Sequence, residues 1–211
     1  MENEKKLLLL GGGGHCHSVL DSVKAGNWFD EIGIVDKKYR SINGADVVGQ
    51  DEELGDLYEK GWSYAFITVG SVGNTELRHK LYDKVRSLGF IVPIIVDPSA
   101  VIASDVNIGE GVYIGKNVIV NAGSSIAEGC IINSGAIVEH DCLIGEFSHV
   151  SPGAVLCGQV LIGKDTHIGA GSVVIQGISI GDRTMIGAGS VVVNNVTNDV
   201  KAFGNPCKEV K

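Results

Sequence analysis

A six-residue repeat fills the second half of this 211-residue sequence and constrains its fold more than any other feature. Sixteen consecutive units run from Val101 to Val196, each with an aliphatic residue at its second position and a small or β-branched residue at its sixth. A helix turns about every 3.6 residues and cannot keep a six-residue period on one face. A β-helix of hexapeptide coils keeps that period, so the repeat predicts a β-helix.

The repeat also predicts the shape of each coil. The sixth, first and second positions form a short strand, in which the sixth and second side chains point inward and the first points outward. The third to fifth positions form a corner, where glycine is frequent. Three units complete a triangular coil, so residues 18 positions apart stack and each coil is buried only against its neighbours.

The residues before the repeat predict a separate α/β domain. Apolar runs at residues 6–10, 32–36, 65–69 and 90–96 are expected to be strands, and residues 19–25 and about 75–87 are expected to be helices. This alternation is typical of a parallel sheet covered by helices. The predicted organisation is a Rossmann-like domain at residues 1–97 and a β-helix with a C-terminal tail at residues 98–211.

Composition restricts the partners and the compartment. The formal net charge of −8 argues against nucleic acid as a ligand. The longest apolar run near the N-terminus, residues 7–10, is too short for a signal peptide or a membrane span, so we expect a cytoplasmic protein. The five cysteines are odd in number and lack metal-site spacing, which indicates reduced thiols. Cys130 and Cys142 occupy sixth positions and are expected to fill the coil interior.

A glycine-rich loop, LLGGGGHCHS at residues 9–18, follows the first predicted strand. Such a loop before a helix presents backbone N–H groups to a phosphate. The dinucleotide pattern G-x-G-x-x-G fails, because Cys16 or His17 stands where its last glycine belongs, which disfavours NAD and leaves a smaller phosphate-bearing ligand open. Asp36 ends the second strand, where such folds often place an acid that meets a ribose. The alternative is that the glycines only allow close strand–helix packing.

His140 occupies a corner position in the repeat. Ala122 lies one coil below it and Gly158 one coil above, and both are too small to cover an imidazole. His140 is therefore expected to project beside an open space, as a general base would, with Asp141 orienting its ring. The alternative is a solvent-exposed corner histidine without a role.

Two further histidines, His149 and His167, occupy first positions one coil apart. They are expected to stack on an outward face about 5 Å apart. Together with a third ligand they could hold zinc; the alternative is two unrelated surface positions, and we expect no metal. His15, Cys16 and His17 likewise form a tripeptide that rarely makes a metal site alone.

Several motifs together resemble the PglD/NeuD family of sugar acetyltransferases. They are the GGGGH of residues 11–15, Asp36, the stretches NSGAIVEHDC at 133–142 and IGEFSHVSPG at 144–153, and GNPCK at 204–208. The resemblance implies that the β-helix is left-handed and that the protein is a homotrimer. It also implies that a nucleotide-sugar domain precedes the β-helix and that acetyl-CoA lies in the groove between adjacent β-helices.

The resemblance implies a role for individual residues. His140 matches the general base that deprotonates the acceptor, Asp141 its acidic partner (usually the longer Glu), and Asn133 a residue near the reacting centre. His149 matches a histidine near the thioester carbonyl. The implied acetyl-CoA positions are His149, Gly158, Ala170 and Ala188, and the implied nucleotide-sugar positions are Gly14, His15 and Asp36.

The function expected from these features is N-acetylation of a UDP-linked 4-amino-4,6-dideoxy sugar by direct transfer from acetyl-CoA. The alternatives are O-acetylation of sialic acid or another surface sugar, a zinc lyase of the carbonic anhydrase type, and a non-catalytic nucleotide-sugar sensor. The oxyanion donor is expected to be a backbone N–H group or His149. The homotrimer is further expected from first-position aliphatic residues: Ile131, Ile137, Leu143, Val155 and Leu161.

Overall fold

The computed structural model describes residues 4–38 and 40–210. The chain divides into two compact units. The first comprises Met1–Ser71 and Glu76–Ile95, and the second comprises Val72–Thr75 and Val96–Lys211. No helix in the described part of the chain is long and apolar enough to cross a membrane.

The first unit is a five-stranded sheet with the strand order β3-β4-β2-β1-β5. Its pairs are parallel except the short hairpin of β3 and β4. Strand β1 lies between β2 and β5, and its four leucines, Leu7–Leu10, are 0% exposed, as expected of a strand buried on both faces. The strands are β1 (Lys6–Leu10), β2 (Glu31–Val35), β3 (Ser41–Ile42), β4 (Ala45–Gly49) and β5 (Tyr64–Ile67). The helices are α1 (Gly14–Gly26), α2 (Leu54–Glu59) and α3 (Glu76–Ser87), and Asp51–Glu53 is a 3₁₀ turn.

The structure corrects two sequence-based expectations in this unit and adds two elements to them. Helix α1 begins at Gly14, earlier than the predicted start at residue 19. The strand predicted over residues 90–96 is wrong, because only β6 (Ile95–Val96) is a strand and Ile91 forms an isolated bridge with Tyr64. Pro93, which has no N–H to donate, interrupts the segment. The β3–β4 hairpin and helix α2 were not predicted.

The second unit contains sixteen two-residue strands, β7–β22, which begin at six-residue intervals. Each strand pairs in parallel with the strands three units away; Ile119, for example, pairs with Val101 on one side and Ile137 on the other. The coils therefore stack with the 18-residue offset that the repeat predicts. The strands are Val101–Ile102, Asn107–Ile108, Tyr113–Ile114, Ile119–Val120, Ser125–Ile126, Ile131–Ile132, Ile137–Val138, Leu143–Ile144, His149–Val150, Val155–Leu156, Leu161–Ile162, His167–Ile168, Val173–Val174, Ser179–Ile180, Met185–Ile186 and Val191–Val192.

The strands form three flat faces. The first face contains β7, β10, β13, β16, β19 and β22, the second contains β8, β11, β14, β17 and β20, and the third contains β9, β12, β15, β18 and β21. Strand β6 extends one end of the third face, and β23 (Lys201–Phe203) and β24 (Lys208–Val210) extend the other. This terminal hairpin covers the strand edge that the last coil would otherwise expose.

The coil interior is an aliphatic core with a few satisfied polar groups. Second-position residues line it, and Cys130 and Cys142 are 0% exposed at sixth positions, as predicted. The hydroxyls of Ser148 and Thr166, also at sixth positions, donate hydrogen bonds to main-chain carbonyls 2.7 Å away. These bonds satisfy the polar atoms that the narrow coil encloses.

Ile131, one of the first-position residues expected to point outward, is only 2% exposed, so it offers almost no accessible surface to a second copy of the chain. In the register of the third face it pairs with Tyr113 on one side and His149 on the other. Leu143 and Leu161, on the second face, are 51% and 42% exposed.

Candidate active site

His140 and Asp141 form a hydrogen-bonded pair at the corner between β13 and β14. Asp141 adopts a left-handed backbone conformation with φ of 60°, which a short polar side chain tolerates. Its carboxylate lies 2.8 Å from His140 Nδ1. Because an ionised carboxylate only accepts, Nδ1 carries the proton and Nε2 of the neutral ring is left as the acceptor.

Hydrogen bonds from the coils below and above fix the main chain of this pair. The Asp141 N–H donates to the Ala122 carbonyl, and the Gln159 N–H donates to the His140 carbonyl, each at 2.9 Å. The imidazole lies against Gly158, and its side chain is 58% exposed. The ring is therefore held on one side and open to solvent on the other.

A second polar cluster lies on the third face. The rings of His149 and His167 meet edge to face with their centroids 5.0 Å apart, which is the stacking that the 18-residue offset predicts. Asn133 Nδ2 lies 3.2 Å from His149 Nε2, and Ser151 Oγ lies 3.3 Å from His167 Nε2. Burial lowers the pKa of His167, so its ring is neutral at neutral pH.

A cavity of about 430 Å³ adjoins this second cluster. Its walls are mainly apolar and include the two imidazoles. It brings together three of the positions that the family resemblance assigns to acetyl-CoA, namely His149, Ala170 and Ala188. Gly158, the fourth, lies instead at the corner of His140.

One chain does not bring the two histidine sites together. His140 lies at the corner between the first and second faces, since it follows β13 and precedes β14. His149 lies on β15 in the third face. A site that uses both residues requires a second copy of the β-helix.

The first unit carries a separate cavity of about 310 Å³ beside the glycine-rich loop. Asp36 lines this cavity, and its carboxylate accepts hydrogen bonds from the N–H groups of Gly12 and Lys38, both at 2.7 Å. Gly14 and His15 begin helix α1 and are not among the lining residues. The charged residues that line the cavity beside Asp36 are Lys37, Lys38 and Asp51.

The sequence analysis did not identify these three charged residues. The available signal was the position of Lys37 and Lys38 directly after Asp36, at the carboxyl end of β2.

The described residues offer no clear metal centre. Among residues 4–38 and 40–210, no three histidine, cysteine, aspartate or glutamate side chains are grouped so that they could hold a metal ion. Cys16 lies in the core of the first unit, where burial raises the pKa of its thiol to about 11. This thiol therefore stays protonated at neutral pH, unlike a metal-ligating thiolate.

Comparison with known proteins identifies relatives of both units. Residues 6–85 match the family model of the PglD N-terminal domain, and residues 159–194 match the bacterial transferase hexapeptide model of six repeats. These matches, with the solved structures below, confirm the predicted fold class of an α/β N-terminal domain followed by a left-handed β-helix. No curated protein matches the sequence.

Three similar solved structures each cover 98% of this chain. PerB from Caulobacter crescentus, solved in complex with CoA and GDP-perosamine, is 39% identical with a TM-score of 0.92, over 98% of this chain and 97% of that protein. The acetyltransferase domain of PglB from Neisseria gonorrhoeae FA1090, in complex with acetyl coenzyme A, is 32% identical with a TM-score of 0.92, over 98% and 100%. WeeI from Acinetobacter baumannii AYE, at 19% identity and a TM-score of 0.67 over 98% and 100%, shares the fold.

Proposed function

Because this chain belongs to the PglD/NeuD family of sugar acetyltransferases, which use acetyl-CoA, we propose that it N-acetylates a nucleotide-linked 4-amino-4,6-dideoxy sugar. The observation that carries the proposal is the similarity, at 39% and 32% identity over nearly the whole chain, to proteins solved with GDP-perosamine and CoA or with acetyl coenzyme A. UDP is the nucleotide that the resemblance to PglD favours. The GDP-perosamine of the Caulobacter complex makes GDP the second candidate.

In this proposal His140 is the general base of a direct transfer. The sugar amine attacks the thioester carbonyl carbon and forms the C–N bond, while Nε2 of His140 takes the amine proton. The C–S bond then breaks, and the CoA thiolate leaves and recovers a proton from the imidazolium. The His140–Asp141 hydrogen bond of 2.8 Å supports this role, since it fixes the tautomer whose Nε2 accepts. A thioester is already activated, so bringing the two reactants together suffices without an acyl-enzyme.

We propose that the cavity beside His149 binds the acetyl-pantetheine part of acetyl-CoA, which carries the thioester. Its apolar walls, which include Ala170 and Ala188, suit an acyl-pantetheine chain. Asn133 contacts His149 and would hold its ring near the thioester. Two groups are candidate hydrogen-bond donors to the oxyanion that forms on the thioester carbonyl, namely His149 and the main-chain N–H of Gly158. The Gly158 N–H donates none of the hydrogen bonds formed within the described chain.

A homotrimer is proposed because the two histidine sites lie on different faces of one chain. The first face presents an unbroken column of outward aliphatic side chains, which suits a contact between copies. The column consists of Val101, Ile119, Ile137, Val155, Val173 and Val191.

Hybrid trimers would test this assembly. Subunits with His140→Asn and subunits with His149→Asn are each expected to be inactive alone, and co-expression should restore part of the activity if one site uses both subunits. Failure of co-expressed, co-purified hybrids to regain activity would argue against a shared site.

The cavity of the first unit is the proposed nucleotide-sugar site. Lys38 supplies positive charge for a diphosphate, and Lys37, whose ammonium pairs with Glu52 at 2.6 Å, lies beside it. Asp36 lies at the strand end where an acid meets a ribose. Gly14 and His15 lie at the start of α1, where main-chain N–H groups favour phosphate. Because Asp36 also holds the loop through Gly12 and Lys38, Asp36→Ala should weaken nucleotide-sugar binding while acetyl-CoA binding persists. Equal loss of both ligands would indicate misfolding.

The test of the proposed reaction is thiol release from acetyl-CoA with UDP-linked and GDP-linked amino sugars and their hydroxyl analogues. His140→Asn should lower kcat by about 10²-fold or more, the scale of losing a general base, and leave the KM for acetyl-CoA nearly unchanged. His79→Asn, on α3 of the first unit, is the control and should retain wild-type kinetics. Turnover only with hydroxyl acceptors would favour O-acetylation. No turnover with any sugar would contradict the proposal.

A further inference from the structure

The imidazole of His140 lies directly on the main chain of Gly158, one coil above. A methyl carbon placed on Gly158 would lie 2.5 Å from Nε2 and 2.6 Å from Cε1 of His140. These distances are well inside van der Waals contact, so the ring occupies the place that any other side chain would take. Gly158 is buried, although the imidazole that lies against it from the coil below is largely exposed.

The need for glycine at this corner comes from the imidazole and not from the backbone. Gly158 is absent from the positive-φ residues of the described chain, so alanine fits its conformation. The fourth position of other repeat units carries alanine at Ala122, Ala170 and Ala188. The coil geometry therefore accepts a methyl group at this position, and only the ring of His140 excludes it.

The Asp141 side chain lies against a second glycine, Gly123, in the coil on the other side of the pair. Its carboxylate oxygen Oδ1 occupies the space that a side chain on Gly123, one coil below, would need. Gly177 stands in the same corner column with a similar φ of 70° against 72° at Gly123, yet no atom lies within 4 Å of the corresponding space. Gly123 and Gly177 thus differ in this contact but not in backbone conformation.

We propose that Gly158 and Gly123 are positioning residues, whose bare main chain forms a seat that holds the His140–Asp141 pair for proton transfer. The inference rests on the proposed role of His140 as the base. Both side chains of the pair are more than half exposed, and an exposed hydrogen bond between two side chains orients them only weakly by itself. The ring lies against Gly158 in the coil above and the carboxylate lies against Gly123 in the coil below, so each side chain of the pair has a main-chain contact besides its partner.

The test compares kcat and the KM for acetyl-CoA among three single variants. Gly158→Ala is expected to lower kcat by about 10²-fold, the scale reported for displacing a reacting group by about 1 Å, with an unchanged KM for acetyl-CoA. Gly123→Ala is expected to lower kcat as well. The control for Gly123→Ala is Gly177→Ala, which introduces alanine at a similar left-handed φ without a nearby side chain and should keep wild-type kcat.

A double-mutant comparison separates the seat from other roles of Gly158. In a His140→Asn background there is no imidazole to displace, so adding Gly158→Ala should cause no further loss of residual activity. The proposed positioning role would be contradicted by a further loss of activity in the double mutant. It would also be contradicted if Gly158→Ala kept wild-type kcat, or if it raised the KM for acetyl-CoA and left kcat unchanged. Full activity of His140→Asn alone would instead overturn the proposed base.

Discussion

Replacing Leu156 with alanine tests whether the hexapeptide coils enclose a packed core. Leu156 is 0% exposed, and its strand pairs with one strand on each side, so Val138 and Val174 flank it. The substitution removes three carbon atoms, which at about 0.8 kcal/mol each amounts to about 2.4 kcal/mol of lost transfer free energy. Stacked coils on both sides hinder collapse, so a cavity term brings the expected cost to about 3–5 kcal/mol.

The free energy of unfolding from urea titration, followed by circular dichroism, measures this cost. In a chain of this size it corresponds to a fall of roughly 10 °C in Tm. Leu156→Met, which conserves volume, is the control and should cost less than about 1.5 kcal/mol. A cost below about 1 kcal/mol for Leu156→Ala would refute the reasoning, because it would mean that this side chain does not fill a closed coil.

Three other predictions concern buried polar groups. Thr166→Val should lower the free energy of unfolding by about 1–3 kcal/mol, because the hydroxyl donates to the Gly181 carbonyl and accepts from the Thr184 N–H; an unchanged urea midpoint would contradict this. Burial lowers the pKa of His167 from its ordinary 6.5, so the unfolded chain binds more protons and stability should fall as pH drops below about 6.5. His167→Gln should remove part of that loss in urea titrations at pH 7.5 and 5.5, and an identical pH dependence would oppose the assignment. A thiol reagent should label the folded protein at no more than two cysteines, Cys157 and Cys207, while unfolding exposes the three buried ones, Cys16, Cys130 and Cys142.

Much of the β-helix was predictable because its geometry depends on a period and not on distant contacts. The aliphatic second positions and small sixth positions specify the inward side chains, and the 18-residue offset specifies which strands pair. The burial of Ile131 was not predictable, because the period specifies the direction of a side chain and not what covers it. In the first unit, β3 has only two residues and α2 only six, too few for a clear hydrophobic period.

The residues of the candidate site were predictable in part. The 18-residue offset placed His149 beside His167 and His140 beside Gly158. The contact between Asn133 and His149 was not predictable, because it depends on side-chain rotamers in adjacent coils. The contribution of Lys37 and Lys38 to the cavity was not predictable, because two lysines directly after a strand end are also typical of an exposed loop. The roles of all these residues in the reaction stay predictions.

The central claim is that His140 accepts the proton of the attacking sugar amine, and a crystal structure with CoA and the nucleotide-linked amino sugar tests it most directly. The account predicts the amine nitrogen within about 2.6–3.2 Å of His140 Nε2, with Nδ1 still on Asp141. An amine bound beyond the reach of His140, or an imidazole turned away from Asp141 and the acceptor, would contradict it.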